Sequence, residues 1–128
     1  PQALTTELGY ALPRAVVEAG METLYCTAME QARATYCKIA QFNPEVAAYG
    51  VPNGYNRRVL VTLNLRAAAH LIALRSAPNA HFSIRRVAQR MASLLRECSP
   101  LFGELVQANP EENWQLIEKE YFSDCQRG

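Results

Sequence analysis

A chain of 128 residues, nearly half of them apolar, is long enough to bury a core and short enough to form a single domain. Its formal net charge of +1 hides an uneven distribution: between Asn53 and Cys98 eight arginines meet one acid, Glu97, for about +7, and the remaining segments carry about −6. No apolar run reaches the roughly 20 residues of a membrane span, the longest being broken by His70, and residues 1–9 lack the basic start and apolar run of a signal peptide. A cytoplasmic setting without membrane contact is the expectation. The start at Pro1 suggests a processed chain or a piece of something longer.

Pro13 suits the first position of a helix running to about residue 41. Val17, Met21, Leu24, Ala28, Ala32, Thr35 and Ile39 recur on it at three- and four-residue steps, the stripe of an amphipathic helix. Tyr25, Met29 and Tyr36 read as core or subunit contacts rather than ligand contacts. The helix ends before Asn43-Pro44, and residues 44–49 make one further helical turn. Gly50-Val51-Pro52-Asn53-Gly54 is a break. Residues 55–63 then read as extended, because Val59, Val61 and Thr62 are β-branched. A lone strand has no stability by itself, so it is expected to pair outside this chain or with another copy.

Asn64 is positioned to cap a helix over residues 65–74, and Ser76-Ala77-Pro78-Asn79 interrupts the pattern. The next helix starts near Asn79 or Ala80, with Ile84, Val87, Ala88, Met91, Leu94, Leu95 and Cys98 as its core stripe and Arg85, Arg86 and Arg90 off it. Ser99-Pro100 stops it, and residues 101–108 form a short helix. Asn109-Pro110-Glu111-Glu112 combines a capping Asn, a first-position Pro and acids facing the helix dipole, a start signal for a last helix to about Phe122. The predicted segment is mainly α-helical within an α+β fold: a long helix, about one strand, and three to four shorter helices.

Cys26, Cys37, Cys98 and Cys125 show no Cys-x-x-Cys spacing and have no nearby His, which disfavours a zinc site. Cys26 and Cys37 share a helical face but lie about 16 Å apart along it, too far for a disulfide. Free thiols are expected. Every cation of the basic block is Arg and none is Lys, a choice suited to planar, bidentate recognition of phosphate or carboxylate. That points to an anionic ligand. Asn64 and Arg66 at an extended-to-helix junction would add an amide and a guanidinium to unpaired backbone N–H groups. Arg66 and Arg75 lie about half a turn apart on one helix and so face two ligands or two subunits.

These residues also carry a family resemblance. Thr62-x-Asn64-x-Arg66, then Leu74-Arg75, then Ala80, Ile84 and Arg85, then Pro100, follow without a gap the pattern of flavin-dependent thymidylate synthases. The chain resembles the C-terminal half of that family. The resemblance implies methylation of deoxyuridine monophosphate (dUMP) with methylenetetrahydrofolate, NADPH and bound FAD, at sites between subunits of a homotetramer. It would put Asn64, Arg66, His70 and Asn79 at flavin positions. It would put Arg75, as the catalytic residue, on the uracil ring, with His81 beside the substrate.

Several positions depart from the family pattern. The hallmark Arg-His-Arg-x-x-Ser-x-Asn-Glu is not in this chain, and Ala48 stands where an Arg grips the nucleotide phosphate. Asn79 replaces a flavin-facing His, His81 replaces a Gln, and Ser83 replaces a Glu. Two further readings therefore stay open. One is a degenerate paralogue with a structural or regulatory role. The other is an arginine-rich nucleic-acid-binding domain, disfavoured because only Phe82 and Tyr55 interleave the arginines and no binding motif is present.

Overall fold

The computed structural model describes residues 4–123, so Cys125 lies outside the described residues. Contacts divide the chain into two compact units, one of residues 4–60 with Phe122–Ser123, the other Val61–Tyr121. The architecture is mainly helical with a small sheet, the α+β composition expected from the sequence. No helix among the described residues is long and apolar enough to cross a membrane.

In the first unit, strand β1 (Leu12–Pro13) pairs antiparallel with β2 (Phe122–Ser123), Leu12 opposite Ser123. Helix α1 (Arg14–Glu18) follows directly, and its Arg14 guanidinium donates to the Phe122 carbonyl at 3.4 Å. The single long helix predicted over residues 13–41 is in fact two. Gly20 adopts φ +68°, a left-handed conformation that ends α1, and α2 (Glu22–Phe42) restarts after it. The apolar spacing keeps its period on either side of Gly20, so periodicity alone does not mark the break.

The buried side of α2 also differs from the predicted stripe. Met29 is buried, with Tyr25, Ala32 and Tyr36 packed around it, whereas Leu24 is 63% exposed. What draws this side inward is Tyr55. Its ring is buried, its hydroxyl donates to the Met29 carbonyl at 2.6 Å, and it meets the Tyr10 ring edge-on at 5.5 Å. Tyr10 in turn touches Tyr25, whose hydroxyl donates to the Ala11 carbonyl at 2.9 Å. The turn at Gly54 accommodates this cluster because a Cβ there would lie 2.7 Å from the Tyr25 hydroxyl oxygen. Asn43 ends α2 and caps α3 (Pro44–Ala48), accepting from the Glu45 and Val46 amides.

Residues 56–64 are exposed and belong to no ladder, a correction to the predicted strand. Leu60 is 92% and Val59 67% exposed. β-branched residues favour a pleated surface only when a neighbouring strand supplies one, and among the described residues none does.

In the second unit, Asn64 caps α4 (Leu65–Arg75) as predicted, accepting from the Ala67 amide at 2.9 Å. Helix α5 (Phe82–Cys98) runs back along it, and α6 (Pro100–Leu105) turns against α5 where Gly103 abuts Arg96. Ile72, Ala92 and Val106 form the core, with Ala69, Met91, Leu95 and Ala108 around them. The predicted stripe of α5 is only partly inward. Ala88 and Ala92 are buried together with Arg85 and Gln89, while Ile84, Val87 and Leu94 face out. Small residues let the helices approach closely, so the alanine side wins the interface.

The Asn109-Pro110 signal starts a turn rather than a helix, since the Asn109 side chain accepts from the Glu111 amide. Helix α7 (Trp114–Tyr121) begins later, with Asn113 accepting from the Leu116 amide at 2.8 Å.

Burial, with the Glu30 carboxylate second, pushes the Tyr55 phenol above the ordinary tyrosine range. An acid raised in the folded state ionises first in the unfolded chain, so its contribution is complete below pH about 10 and fades above it. Tyr55→Phe removes one buried hydrogen bond and should cost about 1 kcal/mol in urea unfolding at neutral pH. The same variant should show a shallower loss of stability than the parent above pH about 10.

Candidate functional site

All six residues singled out from the sequence lie in the second unit, on α4, its N-cap, and the connection from α4 to α5. Asn64 is exposed, and its side-chain oxygen is occupied by the Ala67 amide, which leaves its NH2 group as the free donor. The Leu65 and Arg66 amides open the helix and have no intrahelical acceptor. Arg66 is exposed beside them, and His70, also exposed, sits four residues on and hence on the same face. Asn64, Arg66 and His70 thus lie within the first two turns of α4, with Arg66 and His70 on one face.

Arg75 is exposed at the last position of α4, where a cation complements the helix dipole. It lies about half a turn from Arg66, so one copy of the chain does not bring the two together. Asn79 is exposed in the tight turn closed by the Ala80 amide on the Ala77 carbonyl. His81 caps α5, its Nδ1 accepting from the Ser83 amide at 3.3 Å, and its ring lies 4.0 Å from that of Phe82. Phe82 stacks on Tyr121 with centroids 4.9 Å apart. Arg75, Asn79 and His81 therefore lie within seven residues of chain, from the end of α4 to the start of α5.

The arginine block separates into two classes. Arg85 is buried: its Nη1 donates to the Pro78 carbonyl at 2.9 Å, its Nε lies 3.5 Å from Glu112, and its guanidinium sits over the Tyr121 ring. Arg86 pairs with Glu118, Arg90 lies over Trp114, and Arg96 donates to the Val106 carbonyl. Arg57 donates to Asn53. Among the described residues Arg58, Arg66 and Arg75 engage no hydrogen bond, ion pair or ring.

Sequence reasoning missed Arg85 as a core residue. No local signal marks it, because its partners Glu112 and Tyr121 lie 27 and 36 residues away in sequence. Cys26, Cys37 and Cys98 carry no disulfide. Among the described residues no three of His, Cys, Asp or Glu gather as a metal site.

The two classes respond oppositely to substitution. Arg85→Ala leaves the Glu112 carboxylate half-buried without its counter-charge and should cost about 3 kcal/mol in thermal or denaturant unfolding. Arg66→Gln and Arg75→Gln should each leave stability within about 0.5 kcal/mol of the parent in the same assay.

A family model described as "Thymidylate synthase complementing protein" matches residues 3–101. A UPF0159 protein of Chlamydia muridarum is 41% identical over 101 residues, covering 79% of this chain and 19% of the relative. A UPF0159 protein of Thermoplasma acidophilum is 31% identical over 105 residues, covering 80% of this chain and 21% of the relative. A flavin-dependent thymidylate synthase of Sulfurisphaera tokodaii is 32% identical over 84 residues, covering 64% of this chain and 33% of the relative. The chain thus spans about a fifth of the length of the UPF0159 relatives it matches. No solved structure matches.

Proposed function

Because the chain belongs to the thymidylate synthase complementing protein family, we propose that it supplies one side of a flavin-dependent thymidylate synthase site, completed by further polypeptide or by neighbouring copies. The reaction is the reductive methylation of dUMP to dTMP, with methylenetetrahydrofolate as carbon donor. The observation that carries this reading is the pair of exposed arginines, Arg66 and Arg75, that the fold leaves unengaged among the described residues. A guanidinium without an internal partner is available to an anion.

The donors at the start of α4 fit the group that the reading requires. The Asn64 NH2, the Arg66 guanidinium and two amides of the first helical turn are all hydrogen-bond donors, as a dinucleotide's diphosphate and ring carbonyls demand. Asn64, Arg66 and His70 would hold FAD there, and Asn79 would face it from the α4–α5 connection. Bound FAD, reduced by NADPH, would supply the reducing equivalents.

Arg75 would hold a uracil carbonyl. A fixed cation there favours the enolate-like charge that develops on the ring during carbon transfer, and its place at the end of α4 limits reorganisation. His81, tethered through Nδ1 to the start of α5, would keep Nε2 for the substrate.

Ala48 favours a second reading, a non-catalytic paralogue. It offers no charge where the family grips the phosphate, and one charge-assisted hydrogen bond contributes about 1.5–3 kcal/mol. The nucleic-acid reading is weakened, because Arg85, Arg86, Arg90 and Arg96 are engaged within their own unit rather than offered as a free basic face.

In a longer polypeptide that carries this segment, Arg66→Ala should abolish the flavin absorbance of the purified protein. Arg75→Ala should keep the flavin and weaken dUMP binding about tenfold or more, the loss of an ionic hydrogen bond. A colourless parent protein, or unchanged dUMP affinity in Arg75→Ala, would favour the paralogue.

A further inference from the structure

We infer that Ser76 and Gln89 are positioning residues for Arg75, acting together through the backbone of Asn109. Both are polar, yet both are buried, at 1% and 5% exposure. Taking a polar side chain out of water is costly unless it is hydrogen-bonded, so its partner is informative. Here the two share one partner. Ser76 Oγ accepts from the Asn109 amide at 3.0 Å, and Gln89 Nε2 donates to the Asn109 carbonyl at 2.8 Å. The backbone of Asn109 is thus held from the end of α4 and from the middle of α5.

Asn109 is itself a fixed point. Val106, just before it, is buried in the core with Ile72 and Ala92, and Ala108 packs against the same cluster. Arg96 donates to the Val106 carbonyl at 3.2 Å. On the other side, the Asn109 side chain accepts from the Glu111 amide and closes the next turn. A segment anchored in this way is a reference for whatever is bonded to it.

What is bonded to it is the residue directly after Arg75. Ser76 is the C-cap of α4, and its amide donates to the Ile72 carbonyl at 2.9 Å. Helix ends fray because their last carbonyls have no intrahelical donor. The bond between Ser76 and Asn109 opposes that fraying at the turn that carries Arg75. A cation that stabilises charge developing on a ring does so best when its frame is already in place. Resting on the reading of Arg75 as the residue that holds the uracil ring, the role of Ser76 and Gln89 is one of geometry: neither side chain is called on to touch substrate.

Two small losses test this role in a longer polypeptide that carries this segment. Ser76→Ala removes the acceptor and Gln89→Met the donor. Each should lower kcat about tenfold while KM for dUMP stays within about twofold, because a loosened guanidinium still meets the bound ring but not in fixed alignment. Flavin absorbance should be retained, since Asn64 and Arg66 stand at the other end of α4. The double variant should match Ser76→Ala, because Gln89 acts on Arg75 only through the bond already removed. Tyr55→Phe, which loses a buried hydrogen bond in the first unit, should leave kcat near that of the parent. In the 128-residue chain, Ser76→Ala should speed amide exchange at Ser76 and Asn109 about tenfold and leave Ala68 unchanged. Unchanged kcat in both single variants, an equal fall in Tyr55→Phe, or unaltered exchange at Ser76 would overturn the positioning role and leave that of Arg75 standing. Turnover unchanged in Arg75→Ala, or absent from the parent polypeptide, would instead remove the reading of Arg75 and the positioning role with it.

Discussion

The second unit turns on one buried guanidinium. Arg85 holds three things at once: the Pro78 carbonyl in the α4–α5 connection, the Glu112 carboxylate before α7, and the face of Tyr121 at the end of α7. Burying a charge is costly unless it is paired, so this arrangement exists only if all three partners arrive together. The pairing is not ideal, since neither Arg85 Nε nor Glu112 Oε2 makes a well-formed hydrogen bond. What the cluster supplies is position. It fixes the short connection on which Asn79 and His81 sit, directly after Arg75. Stacking of Phe82 on Tyr121 fixes the start of α5 from the same side.

The local chemistry of that region was largely legible in the sequence, and the long-range chemistry was not. Asn64 as a cap, the helix to Arg75 and the stop at Ser99-Pro100 follow from residues within a few positions of each other, and each stands as expected. Asn109-Pro110-Glu111-Glu112 carries the same vocabulary but makes a turn, because Asn113 offers a competing cap four residues later. The burial of Arg85 could not be read, since an arginine off an apolar stripe looks solvated until a distant carboxylate is placed beside it.

The apolar stripes misled for a different reason. On α2 and α5 alike the predicted stripe coincides only in part with the buried side. Tyr25, Met29, Ala32 and Tyr36 fill it in α2, and Ala88 and Ala92 in α5. Periodicity reports which residues share a face. It does not report which of two apolar faces meets the rest of the same chain. On α5 the small side chains allow the closer approach and take the intramolecular contact, whereas on α2 the Tyr55 ring and hydroxyl draw the larger Tyr25, Met29 and Tyr36 side inward.

Of the six candidate site residues, the sequence gives their places on α4 and its flanks but not their convergence. Arg66 and Arg75 diverge on one helix by simple geometry, so a site using both needs surfaces from more than one copy or from more chain than these 128 residues. The distribution of arginine contacts fits such an arrangement. The arginines of α5 are occupied in holding their own unit together, through Glu112, Glu118, Trp114 and the Val106 carbonyl. Those of α4, one at each end, are not. A guanidinium already bonded internally must break that bond to meet a ligand, whereas an exposed one loses only water and side-chain freedom. The fold therefore treats the two helices differently: the arginines of α5 serve as scaffold, and those at the ends of α4 are left exposed.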